Sequence, residues 1–244
     1  MPEFLYGSGD GSALSVSRSF STSQKQAVTF ENVDVFYSLF EVKMEQALKL
    51  IPTGLHPSIP AVMGVTFWHA KQSPIGAFTV AFVALSCRTG IKPRHLVLKA
   101  YCDSERAKEF FGERYGFECE VAAVFFEERY DRFYGLVKQG EETVLESETT
   151  EAMPLVGAGV AVKYSPPLNA AKVGPENLLV QFEGGYDFKR AARGKAALKN
   201  LAGPIQATTP ISGTHALCDM HFLPARFTVD IKIPAEAGGA KKIT

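Results

Sequence analysis

"IGAFTVAFVALSC", Ile75 to Cys87, is the longest apolar run in the chain, and whether it forms a helix or a strand decides the fold. A helix crossing a bilayer needs about 20 consecutive apolar residues, so this run is too short to span. Its β-branched and aromatic residues suit a buried strand. Strand-like runs flank it: "VMGVTFWHA" (62–70) before the Ser-Pro-Ile-Gly joint and "HLVLKAYC" (95–102) after it. A sheet in which consecutive strands pair is the simplest way to bury all three.

"VTFENVDVFYSLFEV" (28–42) predicts one or two further strands. "KMEQALKLIP" sets Met44, Ala47, Leu48 and Ile51 at helical spacing before Pro52 stops the helix. Asp103 or Ser104 is placed to cap "SERAKEFFGERYG", a short helix ending near Gly112 or Gly116. Residues 119–150 predict successive antiparallel strands, with turns near Glu127–Arg132 and at Gln139–Gly140. "AGVAVKYSP" (158–166), "NLLVQFEGG" (177–185) and "RFTVDIKIP" (226–234) continue the pattern, whereas "FKRAARGKAALKNLAG" (188–203) is expected to be partly helical. Residues 1–27, rich in Gly and Ser, are expected to form an extended arm, and 28–244 a single domain. The fold class is therefore α+β and β-rich, with a closed or curled sheet.

Lysine plus arginine and aspartate plus glutamate each number 26, so no basic excess exists to displace counterions from nucleic acid. The basic run Lys189, Arg190, Arg193, Lys195 and Lys199 is expected to be the solvated face of a short helix. Cys87, Cys102, Cys119 and Cys218 show no CxxC and no pairing with histidine at ligand spacing, and His95, His215 and His221 share no such spacing either. No metal and no cofactor are expected, and reduced thiols together with the absence of a secretory leader imply a cytoplasmic protein, away from membranes. "EGGY" (183–186) is too poor in glycine to cradle phosphate, and Glu127, Glu128, Asp131 and Arg132 read as a solvated hairpin tip.

"EFFGERYGF" (109–117) sets Glu113 and Arg114 among aromatic residues. Two readings compete: a solvated ion pair at a helix end, which contributes little, or a carboxylate desolvated among Phe110, Phe111, Tyr115 and Phe117. Burial would raise that carboxylate's pKa toward the range useful in general acid-base work, and Arg114 would pull it back. Lys108 falls on the polar face of the same helix. Of the adjacent pair Trp68 and His69, only one can face inward on a strand.

Taken in order, "MEQALKLIPTGL", "SPIGAFTVAFVA", "SERAKEFFGERYGF", "ENLLVQFEGGYDF" and "LPARFTVDIKIP" resemble the acetoacetate decarboxylase superfamily from about Val28 to Pro234. The resemblance implies a curled antiparallel sheet forming a cone-like barrel around a largely apolar pocket, often in homo-oligomers. It also implies a lysine that forms a Schiff base with a β-keto acid, activated by a cationic neighbour. Matching the glycine of that lysine segment to Gly116 sets Glu113 and Arg114 where the lysine pair stands. The expected glutamates fall at Trp68 and Val80, and the expected arginine near Val33 and Asp34.

A carboxylate cannot form an imine. The resemblance therefore points to a divergent member acting on an apolar, carbonyl-bearing metabolite, polyketide-like or β-dicarbonyl. Its chemistry would be of lyase, isomerase, dehydratase or cyclase type in specialised metabolism, driven by positioning and acid-base catalysis. Glu113 and Arg114 are the catalytic candidates. Trp68, Phe78, Val80, Phe111, Tyr115 and Phe117 are the candidate substrate-binding wall. A non-catalytic carrier of an apolar ligand and a decarboxylase with a displaced lysine are the alternatives.

Overall fold

A computed structural model describes residues 5–12, 14, 20, 26–157, 166–182, 184–233 and 240–242. The elements run β1 (Val28–Val42), α1 (Met44–Leu50), β2 (His56–Pro57), β3 (Val62–Ala70), β4 (Phe78–Thr89), β5 (Lys92–Cys102), α2 (Glu105–Tyr115), β6 (Glu120–Val121) and β7 (Ala123–Arg129). They continue β8 (Arg132–Gln139), β9 (Glu142–Pro154), β10 (Pro167–Val173), β11 (Glu176–Gln181), β12 (Gly184–Leu201), β13 (Ala207–Phe222), β14 (Phe227–Asp230) and β15 (Ala240–Lys242). The expected strand in "AGVAVKYSP" lies almost wholly outside the described residues.

One sheet joins the strands in the order β15-β14-β11-β10-β5-β4-β3-β1-β13-β12-β9-β8-β7, with β2 on β4 and β6 on β5. The expected β-rich curled sheet is present, with two differences. It is mixed, because β5 runs parallel to both β10 and β6. Among the described residues its pairing also does not close. Curvature instead brings β7 back over β3, so that the Phe126 ring lies 5.7 Å from His69.

The central strands are buried on both faces, and their period-two alternation sorts side chains into two cores. Phe36, Phe40, Val65, Phe67, Ala81 and Val83 belong to the core inside the curl, which Phe133, Val137 and Leu145 complete. Val33, Val35, Trp68, Val80 and Phe82 face the other way, where Ala107, Phe111 and Tyr115 of α2 cover them. The Ser104 hydroxyl caps α2 by accepting from the Ala107 N–H. Gly116 ends the helix in the left-handed region at φ 62°, where a Cβ would also meet the Ala171 Cβ at 2.2 Å.

"FKRAARGKAALKNLAG" is not helical. It belongs to β12, laddered to β13 on one side and β9 on the other. Ala191 and Ala196 point inward while Lys189, Arg190, Arg193, Lys195 and Lys199 are exposed. Two neighbouring ladders thus override the helix propensity of its alanines and lysines. The basic run is the solvated side of a strand.

Gly135 of β8 marks a close approach across the curl, since a Cβ there would lie 2.4–2.7 Å from three carbon atoms of the Phe67 ring. Gly135→Ala is expected to destabilise the fold by about 1–3 kcal/mol through overpacking. Thermal unfolding checks this, and an unchanged melting temperature would show that the ring can give way.

Candidate functional site

The residues expected to line an apolar pocket do come together, but as packed core. Trp68 is fully buried, its ring 4.9 Å from Phe82, 5.4 Å from Phe182, 5.8 Å from Phe111 and 6.3 Å from Phe117. Phe78 packs 5.7 Å from Phe111, Tyr115 lies 4.4 Å from Phe182, and Val80 is buried in the same cluster. Aromatic rings in edge and tilted contact fill the space that a ligand would need.

Glu113 and Arg114 part company, because adjacent positions on a helix cannot share a face. Glu113 is exposed, so the expected desolvated carboxylate does not form. Arg114 is buried, where its Nη2 donates to the Gln26 carbonyl at 2.6 Å and its guanidinium sits 4.9 Å from the Phe110 ring. It fastens chain segments together. Lys108 pairs with Glu105 at 3.5 Å, and Lys99 pairs with Glu120.

The open cavity lies on the other face of the sheet. Its volume is about 620 Å³, and its lining includes Glu128, Tyr130, Phe133, Met153, Arg190 and His215. Asp34 and His215 are nearly inaccessible, and His215 Nε2 lies 2.8 Å from Asp34 Oδ1. Their placement follows from strand parity: Asp34 shares a side of β1 with Phe36, and His215 projects from neighbouring β13, opposite Phe36 in the ladder. The His215 ring is stacked against Phe133 at 4.3 Å and near-parallel to Phe126 at 5.6 Å, which fixes its plane.

Above this pair, Arg190 of β12 grips Glu128 of β7 with both guanidinium nitrogens, at 2.8 and 2.9 Å. Tyr130 and Asp131 form the hairpin tip beside the mouth, with Tyr130 fully exposed at φ 38°. His69 pairs with Asp34 across β3 and β1 and shares a hydrogen bond with Thr79. Burial pulls its imidazole below the ordinary range, and the Asp34 charge offsets part of that. Asp34, Glu128 and His215 each present a ligand atom within 4.8 Å of the others. A second hollow, of about 450 Å³ beside Asp10, Glu176 and Asp230, contains no buried ionisable group.

An acetoacetate decarboxylase from Legionella pneumophila subsp. pneumophila str. Philadelphia 1 superposes with a TM-score of 0.72 over 88% of this chain and 92% of its own, at 17% identity. The fold is that of acetoacetate decarboxylase. An acetoacetate decarboxylase-like enzyme from Sphingomonas wittichii RW1 matches at TM-score 0.67 and 12% identity, covering 84% of this chain and 94% of that one. The enduracididine biosynthesis enzyme MppR, complexed with pyruvate, matches at TM-score 0.66 and 15% identity, with 91% of each chain covered. No protein-family model and no curated protein sequence matches. The acetoacetate decarboxylase fold is thus present at identities where sequence similarity has almost vanished.

Sequence reasoning reached Asp34 only as the place of an expected arginine, read Glu128 and Arg190 as solvated, and gave His215 no role. One signal existed: Asp34 shares the strand parity of Phe36 and Phe40, and a carboxylate among inward aromatic residues needs a partner. That partner lies 181 residues away, so no local spacing could supply it. The packing separates the two sets of candidates energetically. Trp68→Ala should cost about 3–5 kcal/mol, whereas Glu113→Gln should move stability by no more than about 0.5 kcal/mol, both measured by denaturant unfolding.

Proposed function

We propose that this chain is a small-molecule enzyme working at the Asp34–His215 floor of the cavity, moving a proton on a carbonyl-bearing metabolite without forming an imine. The observation that carries the proposal is a buried carboxylate–imidazole pair, 2.8 Å apart, whose imidazole lines a cavity of about 620 Å³. That volume suits a small organic ligand. Asp34 takes one ring nitrogen of His215 and fixes the ring's orientation, leaving the other nitrogen for proton transfer. Phe133, stacked on His215 and lining the cavity, supplies an apolar wall against which an uncharged carbon skeleton can lie.

Proton removal from a carbon beside a carbonyl gives an enolate, whose negative charge Arg190 in the cavity wall would stabilise. The same step begins an isomerisation, an elimination or a ring closure on a polyketide-like or β-dicarbonyl substrate. Among the described residues no lysine lines this cavity and no buried side chain is a lysine, which favours acid-base chemistry over a displaced Schiff base. Two proteins of the same fold lend support: one is an acetoacetate decarboxylase and another was captured with pyruvate, both names of small carbonyl compounds. A cytoplasmic homo-oligomer in specialised metabolism is the setting we propose for this activity.

Hydrogen–deuterium exchange at the central carbon of pentane-2,4-dione and ethyl acetoacetate, followed by proton NMR, tests the chemistry without knowledge of the natural substrate. The wild-type chain should accelerate exchange. His215→Gln should lose about 100-fold or more of that acceleration, with Asp34→Asn intermediate and circular dichroism unchanged in both. Equal exchange by His215→Gln and wild type would overturn the proposal. Binding of the diketone without accelerated exchange would instead favour a carrier of apolar ligands.

A further inference from the structure

The geometry points to a divalent cation site of the zinc class made by Asp34, Glu128 and His215 at the cavity floor. The inference shares the cavity proposed above but does not depend on its proton chemistry. One imidazole and two carboxylates, each with a ligand atom within 4.8 Å of the other two, converge from β1, β7 and β13. Bonds of about 2.1 Å set tetrahedral ligands about 3.4 Å apart, so small rotamer adjustments would close the set around one ion. Three protein ligands with the remaining position facing a cavity is the arrangement of a metal that acts on a bound molecule, not one that merely staples a fold.

Burial adds to the case. The side chains of Asp34 and His215 are only 5% and 2% exposed, so neither can exchange its partner for bulk water. His215 gives Nε2 to Asp34, and its other ring nitrogen has no hydrogen-bond partner among the described residues. Mixed nitrogen and oxygen ligands suit zinc, cobalt or manganese, with zinc bound more tightly than the other two. An ion held there could polarise a carbonyl oxygen or a water in the open position.

Arg190 is the internal competitor. Its guanidinium now neutralises Glu128 from a side chain that is 56% exposed, so it can turn into solvent when a cation takes the carboxylate. That competition gives the site a signature that simple loss of stability cannot imitate. Removing the arginine should tighten metal binding, and removing any ligand should weaken it.

The test is isothermal titration of the chelator-treated full chain with Zn²⁺, and with Co²⁺ followed by its visible ligand-field absorption. Wild type should bind one equivalent of Zn²⁺. Arg190→Gln should bind about tenfold tighter, and Glu128→Gln at least about tenfold weaker. Asp34→Asn and His215→Gln should abolish stoichiometric binding. Glu128 lies at the cavity mouth, so its variant keeps the test decisive even if the buried variants fail to fold. Absence of stoichiometric binding in both wild type and Arg190→Gln would overturn the inference, as would binding that Glu128→Gln leaves unchanged. Zinc binding without diketone exchange, or exchange in the chelated protein, separates this inference from the proposed activity.

Discussion

The alternation of β1 is the constraint on which the other features rest. Val33 and Val35 enter the aromatic core beneath α2, while Asp34 and Phe36 enter the curl. A slip of one residue against β13 would exchange the two sets. Asp34 would then meet Trp68 and Phe111 without a hydrogen-bond partner, at a cost of several kcal/mol. The hydrogen bond to His215 and the packing of Val35 therefore select the same register, and a strand buried on both faces has few ways to be wrong. Both cores, and the face on which the cavity opens, follow from that choice.

Much of this was legible in the sequence. The run from Ile75 to Cys87 shows its strand character directly, and Ser104 and Gly116 bracket α2 with side-chain chemistry that local rules capture. β12 is the exception. Its alanines and lysines carry a helical preference, and only the ladders from β9 and β13 reveal why that preference loses. The site was harder still. Glu113 and Arg114 drew notice because they are adjacent in a conspicuous aromatic segment, yet adjacency on a helix is what sends one outward and the other inward. The groups that meet, Asp34, Glu128, Arg190 and His215, come from four separate strands and share no spacing that a linear scan could find.

The two faces divide the labour between stability and chemistry. Around Trp68, rings pack edge and face against one another, so that face supplies cohesion. Inside the curl, the polar groups Asp34, His215, Glu128 and Arg190 interrupt the apolar surface, and each has a partner of complementary charge or hydrogen-bonding capacity. Buried polar groups of this kind are costly unless matched, and their matching here is what lets a cavity floor remain polar without weakening the sheet.

The hairpin of β7 and β8 gives the site an uneven mechanical footing. Asp34 and His215 ride on strands clamped by neighbours on either side, whereas Glu128 sits on β7, which among the described strands is laddered to β8 alone. Thermal fluctuation therefore reaches the rim before it reaches the floor. Whatever enters meets an acidic lip that can swing on its tether, over a base that keeps still.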